Sequence, residues 1–220
     1  MAQPVCAIVG AGPGIGHALA ARFGREGFAI ALVGRRPEPL ARLIETLADH
    51  GIEALPFRAD AGDAASLVEG MDEVRTALGP PQVLIYNAFA GHPGLPSTLS
   101  PGDLAADLRV NVLGALVAAQ AVIPKMRAAG LGTILFTGGG YAFDPAAEQA
   151  SLGVGKAALR NLAFSLAKEV GPDGIHVATV TVAGLVRPGT GFDPLKIAEA
   201  FWALHVQARS GWEREIVFRG

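Results

Sequence analysis

The sequence predicts an α/β fold with a doubly wound parallel sheet of about seven strands in three layers. Seven short apolar segments recur along the 220 residues, and longer segments with helical periodicity lie between them. Most of the apolar segments lack apolar–polar alternation, as expected for parallel strands that helices cover on both faces. No linker, repeat or low-complexity segment interrupts this pattern, so residues 1–220 are predicted to form one domain.

Strands and helices alternate at intervals of about thirty residues, which is typical of right-handed βαβ units and of a Rossmann-type sheet. Ligands of such sheets bind beyond the carboxyl ends of the strands. The predicted strands are residues 5–10, 28–34, 52–58, 82–88, 132–138, 174–184 and 214–218. The predicted helical faces, in order, are Ile15–Leu19–Phe23; Leu40–Leu43–Ile44–Leu47; Leu67–Met71–Val74–Leu78; Leu104–Leu108–Val112–Leu116–Ile123; Leu159–Leu162–Ala163–Leu166; and Ile197–Phe201–Leu204.

Composition excludes several classes of partner and site. Half of the residues are hydrophobic, 17% are charged and the formal charge is −2, which argues for a large core and against nucleic-acid binding. The lone cysteine, Cys6, lies in an apolar run and fits a reducing compartment, so a cytoplasmic protein is expected. The five histidines have no metal-ligand spacing. Asn111, Gln120 and Pro124 interrupt the apolar stretches, so no membrane span is predicted.

A glycine-rich loop follows the first strand. The spacing G-x-x-x-G-x-G is met by Gly10, Gly14 and Gly16. Glycines let the backbone approach a pyrophosphate, while the N-terminus of the next helix supplies N–H donors. The alternative is a glycine turn needed only for close packing of helix against strand. The place of the glycine pattern on the first strand and first helix favours a dinucleotide site.

The end of the second strand bears on the choice of dinucleotide. Gly34 stands where a carboxylate would bind the ribose hydroxyls of NAD, and Arg35 and Arg36 follow it. Because a guanidinium suits phosphate, NADP is favoured over NAD. The alternative is that both arginines are solvated or pair with Glu38. Asp60, after the third strand, either meets the adenine amino group or caps the next helix.

Several segments together resemble the short-chain dehydrogenase/reductase family over nearly the whole chain. GAGPGIG (10–16) is similar to the family's TGxxxGIG, ADAGD (59–63) to its aspartate loop and YNAFAG (86–91) to NNAG. RVNVLGAL (109–116) is similar to its helical asparagine motif, and residues 153–184 to its lysine helix and sixth strand. Together with the glycine and arginine patterns, the resemblance implies an NAD(P) site formed by Gly10, Gly14, Ile15, Gly16, Arg35, Arg36, Asp60, Asn87 and Lys156.

The family's chemistry uses asparagine, serine, tyrosine and lysine around the nicotinamide. By resemblance, Asn111 and Lys156 match the asparagine and the lysine. The tyrosine of Y-x-x-x-K falls at Leu152, and the serine falls at Gly138. The chain therefore resembles a divergent member that lacks the tyrosine proton donor and the serine.

Three other side chains are candidates to replace that donor. Tyr141, after the fifth strand, is either a phenol donor or an aromatic cover over the site. Ser151 would need a base, and His92 is either near the substrate or simply solvated.

Two functions remain open at this point. The first is an NADP(H)-dependent oxidoreductase acting on a carbonyl or alcohol, with Asn111, Lys156 and Tyr141 as catalytic candidates. The second is an NADP(H)-binding sensor or partner subunit with little or no catalysis. In the family, helices that match those around Val112 and Leu162 pack between subunits, so a homodimer or homotetramer is expected. Their alanines would also suit packing within one domain.

Overall fold

The computed structural model describes residues 3–220, and its strands form a single parallel sheet. The strands are β1 (Val5–Val9), β2 (Ala29–Gly34), β3 (Ala54–Arg58), β4 (Val83–Tyr86), β5 (Gly132–Gly139), β6 (Ile175–Val182) and β7 (Glu215–Phe218). Their order is β3-β2-β1-β4-β5-β6-β7. The winding reverses between β1 and β4, where doubly wound sheets form their ligand crevice. The predicted fold class and all seven predicted strands are confirmed.

Helices cover both faces of this sheet. They are α1 (Ile15–Arg25), α2 (Pro37–Ala48), α3 (Ala64–Leu78), α4 (Pro101–Leu108), α5 (Gly114–Ala129), α6 (Ala150–Val170) and α7 (Pro194–His205). Helices α1, α2 and α7 bury their apolar faces on one side, and α3, α5 and α6 on the other. Successive residues of β1 alternate between the two cores, because side chains of a strand point to opposite faces. Cys6 is completely buried, as predicted.

The predicted fourth helix is continuous from Pro101 to Ala129, but its middle is not α-helical. Arg109–Leu113 form a π-helical turn, in which the N–H of Gly114 bonds to the carbonyl of Arg109. The wider turn breaks the 3.6-residue period on which the prediction of its apolar face rests. Of that face only Ile123 is buried, and the buried stripe instead consists of Asp107, Asn111, Gly114, Ala115, Ala118, Ala119, Val122, Ile123 and Met126.

This long helix also corrects the expectation that no segment could span a membrane. Pro101–Ala129 has a mean hydropathy of 1.5 over its most apolar window and is long enough to cross a bilayer. The same window is 44% buried against the rest of the protein. A core helix of a globular protein meets these criteria as readily as a membrane span, so they are weak evidence for a membrane segment.

Candidate active site

One large cleft lies along the carboxyl ends of the strands, with a volume of about 1350 Å³. Residues from the loops after β1 to β6 and from β7 line it, so the site is assembled from distant parts of the chain. Nearly all of the residues singled out from the sequence lie on this surface: Gly10, Gly14, Ile15, Gly16, Arg35, Arg36, Asp60, Asn87, Tyr141 and Lys156.

The glycine loop has the shape that a close ligand approach requires. Gly10 has a φ of +86°, and an added Cβ would lie 2.5 Å from Ala88 Cα, so only glycine fits there. By contrast, a Cβ on Gly14 would meet nothing within 4 Å. No side chain caps the N-terminus of α1, which begins next to this loop. The loop therefore presents open backbone to the cleft, and phosphate oxygens fit such a cradle.

Arg35 and Arg36 lie on the cleft surface where β2 ends, and both are exposed. Within residues 3–220 neither forms an ion pair, so the alternative of pairing with Glu38 is wrong. Asp60 is not a helix cap either. Asp63 caps α3 by accepting from the N–H groups of Ala65 and Ser66 at 2.9 and 3.2 Å. The Asp60 carboxylate instead accepts from Gly62 N at 2.8 Å and faces the cleft.

A chain of hydrogen bonds connects the ends of β1, β4 and β5 with α6. The Asn87 amide donates to Gly10 O at 2.9 Å, and the Thr137 hydroxyl donates to Asn87 Oδ1 at 2.9 Å. Lys156 Nζ donates to Thr137 O at 2.6 Å. This chain fixes both polar ends of the Asn87 side chain and anchors the lysine beside them.

Lys156 lies on α6, and its side chain lines the cleft. It is only 7% exposed, and an added Cβ on Gly139 would lie 3.3 Å from its Cγ, so Gly139 leaves room for the stem. The ring centroid of Phe89 lies 5.7 Å from Nζ. Burial lowers the pKa of the Lys156 ammonium from its ordinary value of 10.5 to about 8.

Leu152 lies one helical turn before Lys156 and lines the same cleft, so an apolar side chain stands beside the lysine. Gly138 lies at the end of β5, where an added Cβ would be 2.5 Å from Thr181 Oγ1. A larger residue at 138 therefore requires Thr181 to move. Tyr141 lies in a short 3₁₀ turn (Gly140–Ala142) on the cleft surface and is 39% exposed.

The candidate donors Ser151 and His92 do not line the cleft, and neither does Asn111. Asn111 lies in the π-helical turn and is 1% exposed. Its amide donates to Ala90 O at 2.7 Å and its oxygen accepts from Ala90 N at 2.9 Å. Asn111 thus holds the loop after β4 in place. In the same turn, the hydroxyl of the buried Tyr86 donates a hydrogen bond to the carbonyl of Val110.

Behind Leu152, the fold assembles a polar cluster that the sequence analysis did not recognise. Asp107 is fully buried and accepts from the Ser151 hydroxyl, from His92 N at 2.7 Å and from the His92 ring at 2.8 Å. Burial raises the pKa of the Asp107 carboxyl, but these hydrogen bonds outweigh burial and hold it below its ordinary value. The buried Ser151 and the loop of His92 are therefore fastened to α4, and His92 is not simply solvated.

A second missed cluster lies on the cleft wall. Arg160 forms a bidentate pair with Glu215, with Nη2–Oε2 at 2.7 Å and Nε–Oε1 at 2.9 Å. Thr181 donates to the same carboxylate at 2.7 Å, and the rings of Phe143 and Phe164 lie 4.7 and 4.4 Å from the guanidinium. Arg160 follows Lys156 by four residues, a spacing that could have indicated a shared helix face. No sequence signal marks Glu215.

Known proteins are similar to this chain over most of its length. A family model described as short chain dehydrogenase matches residues 4–190. The chain belongs to the short-chain dehydrogenase/reductase family. It is 32% identical over 151 residues to 2,3-dihydro-2,3-dihydroxybenzoate dehydrogenase of Bacillus subtilis (strain 168), a match over 69% of this chain and 58% of that protein. The match to a very-long-chain 3-oxoacyl-CoA reductase of Aspergillus clavatus, 34% identical, covers 79% of this chain and 51% of the relative.

Solved structures of the family extend the likeness over nearly the whole chain. A metagenomic short-chain oxidoreductase in complex with NADP superposes with a TM-score of 0.90 at 27% identity, covering 98% of this chain and 96% of that one. A short-chain dehydrogenase from Rhodopseudomonas palustris gives a TM-score of 0.89 at 26% identity, covering 99% and 98%. The chain spans little more than half of the two curated relatives, but almost all of both solved structures.

Proposed function

We propose that the protein is an NADP(H)-dependent oxidoreductase acting on a carbonyl or alcohol substrate. Membership of the family and the NADP complex among its structural neighbours support this proposal. The cofactor would accept or supply a hydride when bound. The cleft supplies the surface on which a substrate and a nicotinamide would be positioned against each other.

The residues present fit such a cofactor. The open backbone at Gly14 and the uncapped start of α1 would receive the pyrophosphate. Asp60 would lie at the adenine end, while Asn87 and Lys156 would lie at the nicotinamide ribose. The single observation that carries the choice of NADP is that Arg35 and Arg36 reach the cleft without an ion-pair partner among residues 3–220.

Fluorescence titration with NADPH and NADH tests this assignment. We expect NADPH to bind about tenfold more tightly or better, because a charge-assisted phosphate contact contributes roughly 1.5–3 kcal/mol. Replacing Arg35 and Arg36 together by serine should weaken NADPH and leave NADH unchanged. Arg42→Ala, an exposed position on α2 away from the cleft, is the matched control. Equal affinities for the two cofactors in the wild-type protein would refute the preference for NADP.

A second candidate function is an NADP(H)-binding sensor or partner subunit without appreciable turnover. It is favoured by Leu152 and Gly138, which we interpret as occupying the family's tyrosine and serine positions. NADPH oxidation with a panel of ketones and aldehydes separates the two functions. Tight NADPH binding without oxidation above background would overturn the proposal of an oxidoreductase and favour the sensor. No binding at micromolar concentrations would overturn both.

We also propose that the protein is a homodimer or homotetramer that associates through α5 and α6. Leu113, in the π-helical turn just before α5, and Val154, on α6, are 52% and 49% exposed, and exposed apolar side chains of this size suit an interface. Light scattering after size-exclusion chromatography tests this. A monomer at micromolar concentrations, or an oligomer that Leu113→Lys does not weaken, would contradict it.

A further inference from the structure

We propose that Lys156 itself donates the proton to the substrate oxygen during carbonyl reduction, in place of the tyrosine that Leu152 excludes from this helix face. The inference rests on the proposed oxidoreductase function and names the acid that this function lacks. It differs from the role that the resemblance implies, in which the lysine only supports a tyrosine and binds the ribose.

The surroundings of Nζ leave it free to serve a ligand. Its one hydrogen bond among the described residues goes to Thr137 O, at 2.6 Å, and an ammonium has further N–H bonds to donate. Within residues 3–220 no carboxylate lies within 4.0 Å of Nζ. The ammonium is thus nine-tenths buried, lines the cleft and lacks a counter-ion. Burying a charge without a partner costs free energy, so a polar ligand atom that accepts a hydrogen bond from Nζ would stabilise the ammonium.

Glu215 and the arginines on the cleft surface are less suited to donating this proton. Glu215 already accepts from Arg160 and Thr181, and despite its partial burial these hydrogen bonds keep its pKa below the ordinary value, so it is a carboxylate at neutral pH. The arginines hold their protons throughout the accessible pH range. Tyr141 is 39% exposed, whereas Lys156 is 7% exposed, and the tyrosine is the rival donor that the experiment must separate from the lysine. The complete set around the cleft is Arg35, Arg36, Asp60, Tyr141, Asp144, Lys156, Arg160, Glu215 and Arg219.

Two more titratable groups, His92 and Asp107, lie behind Leu152 and are bonded to each other. Neither lines the cleft. The lowered pKa of Lys156 has burial as its cause, with no contribution from a neighbouring charge. A pKa of about 8 suits a general acid, because the group is protonated at neutral pH yet gives up its proton more readily than an exposed lysine.

The step balances as follows. The carbonyl carbon would gain a C–H bond from a hydride whose C–H bond in the dihydronicotinamide breaks, while the electron pair of the C=O π bond moves to oxygen. An N–H bond of Lys156 breaks, an O–H bond forms, and the neutral amine then takes a proton from water. The reductant is a dihydronicotinamide, which is oxidised by two electrons as the carbonyl is reduced to an alcohol.

Steady-state kinetics with NADPH and the best carbonyl substrate test the step. Wild-type kcat/KM should fall about tenfold per pH unit above a midpoint near 8, since only the ammonium can donate. Lys156→Arg keeps a cation in the cleft but holds its proton, so kcat should fall about 100-fold or more, a far larger change than any loss of NADPH affinity. Lys168→Met, at an exposed position of the same helix, is the control for removing a lysine.

A rival donor would give a different pattern. If Tyr141 were the acid, Tyr141→Phe would abolish both kcat and the pH midpoint of kcat/KM, and Lys156→Arg would retain most of kcat. Either result overturns the inference without affecting the proposed function. Absence of NADPH binding in the wild-type protein would instead overturn the proposed function.

A measurement on the free protein provides a readout that does not depend on activity. The rate of acetylation of Lys156 by acetic anhydride is followed by mass spectrometry across pH, with Lys168 as the internal reference. We expect the reactive amine of Lys156 to appear with a midpoint near 8. A midpoint at 10 or above would overturn the inference, because such an amine is no better an acid than an exposed lysine.

Discussion

Replacing Lys156 by methionine should make the protein more stable at neutral pH. The substitution keeps most of the apolar stem and removes a charge that is buried without a carboxylate partner. The displacement of the pKa from 10.5 to about 8 corresponds to about 3 kcal/mol, at about 1.4 kcal/mol per pH unit. Losing the hydrogen bond to Thr137 O costs about 1 kcal/mol. The net gain in the free energy of unfolding at pH 7 is therefore about 2 kcal/mol.

The pH dependence has a definite sign. Between pH 8 and 10.5 the unfolded chain binds a proton at Lys156 that the folded protein does not, so wild-type stability rises with pH in this window. Lys156→Met lacks this contribution. The excess of its free energy of unfolding over that of the wild type should therefore disappear by pH 10.5. Other groups titrate alike in both proteins and cancel in the difference.

Urea unfolding followed by tryptophan fluorescence measures this difference. Trp202 and Trp212 provide the signal. Lys168→Met controls for the loss of a positive charge from α6 and should change stability by less than about 0.5 kcal/mol. The reasoning is refuted if Lys156→Met and the wild type differ by the same amount at pH 7 and pH 10.5.

Further predictions concern the polar clusters and the glycine loop. Glu215→Gln leaves the Arg160 guanidinium without its counter-charge and should lower the free energy of unfolding by about 2 kcal/mol in urea titrations. An unchanged free energy of unfolding would show that the ion pair does not stabilise the fold. Gly10→Ala should cost about 3 kcal/mol or more and abolish NADPH binding, measured by the same titrations and by fluorescence, because the methyl group would overlap Ala88 at a positive φ. Asp107→Asn should cost about 2 kcal/mol at pH 7 by urea unfolding. Its cost should shrink below about pH 4, where the wild-type carboxyl loses the stability that its lowered pKa provides.

The sequence predicts the sheet and the location of the cleft well because both depend on local patterns. Apolar runs such as those of β1 and β6 mark buried parallel strands directly. Once the strands are parallel, the loops after them must share one edge, so Gly10 and Arg35 were expected on a common surface. Lys156 lies within α6, and its place at the site was implied by the resemblance to the family.

The polar clusters could not be predicted because they join residues that are distant in sequence. Asp107 is 15 residues from His92 and 44 from Ser151, and Glu215 is 55 from Arg160. The packing of α4 against α6, and of both α6 and β7 against β6, brings these partners together. Hydrophobic periodicity carries no information on such pairs. It also fails for the fourth helix, where the π-helical turn changes the period.

The π-helical turn Arg109–Leu113 determines which elements the two halves of the long helix pack against. An α-helix advances about 100° per residue, so one additional residue in a turn rotates everything after it by that angle. The segment before the turn, α4, packs on α6, whereas α5 packs on α3 and on the strands. Removing a single residue between Arg109 and Leu113 would restore an unbroken α-helix and swing α4 away by about 100°. Asp107 would then lose Ser151 and His92 together, although no residue of that cluster had been altered.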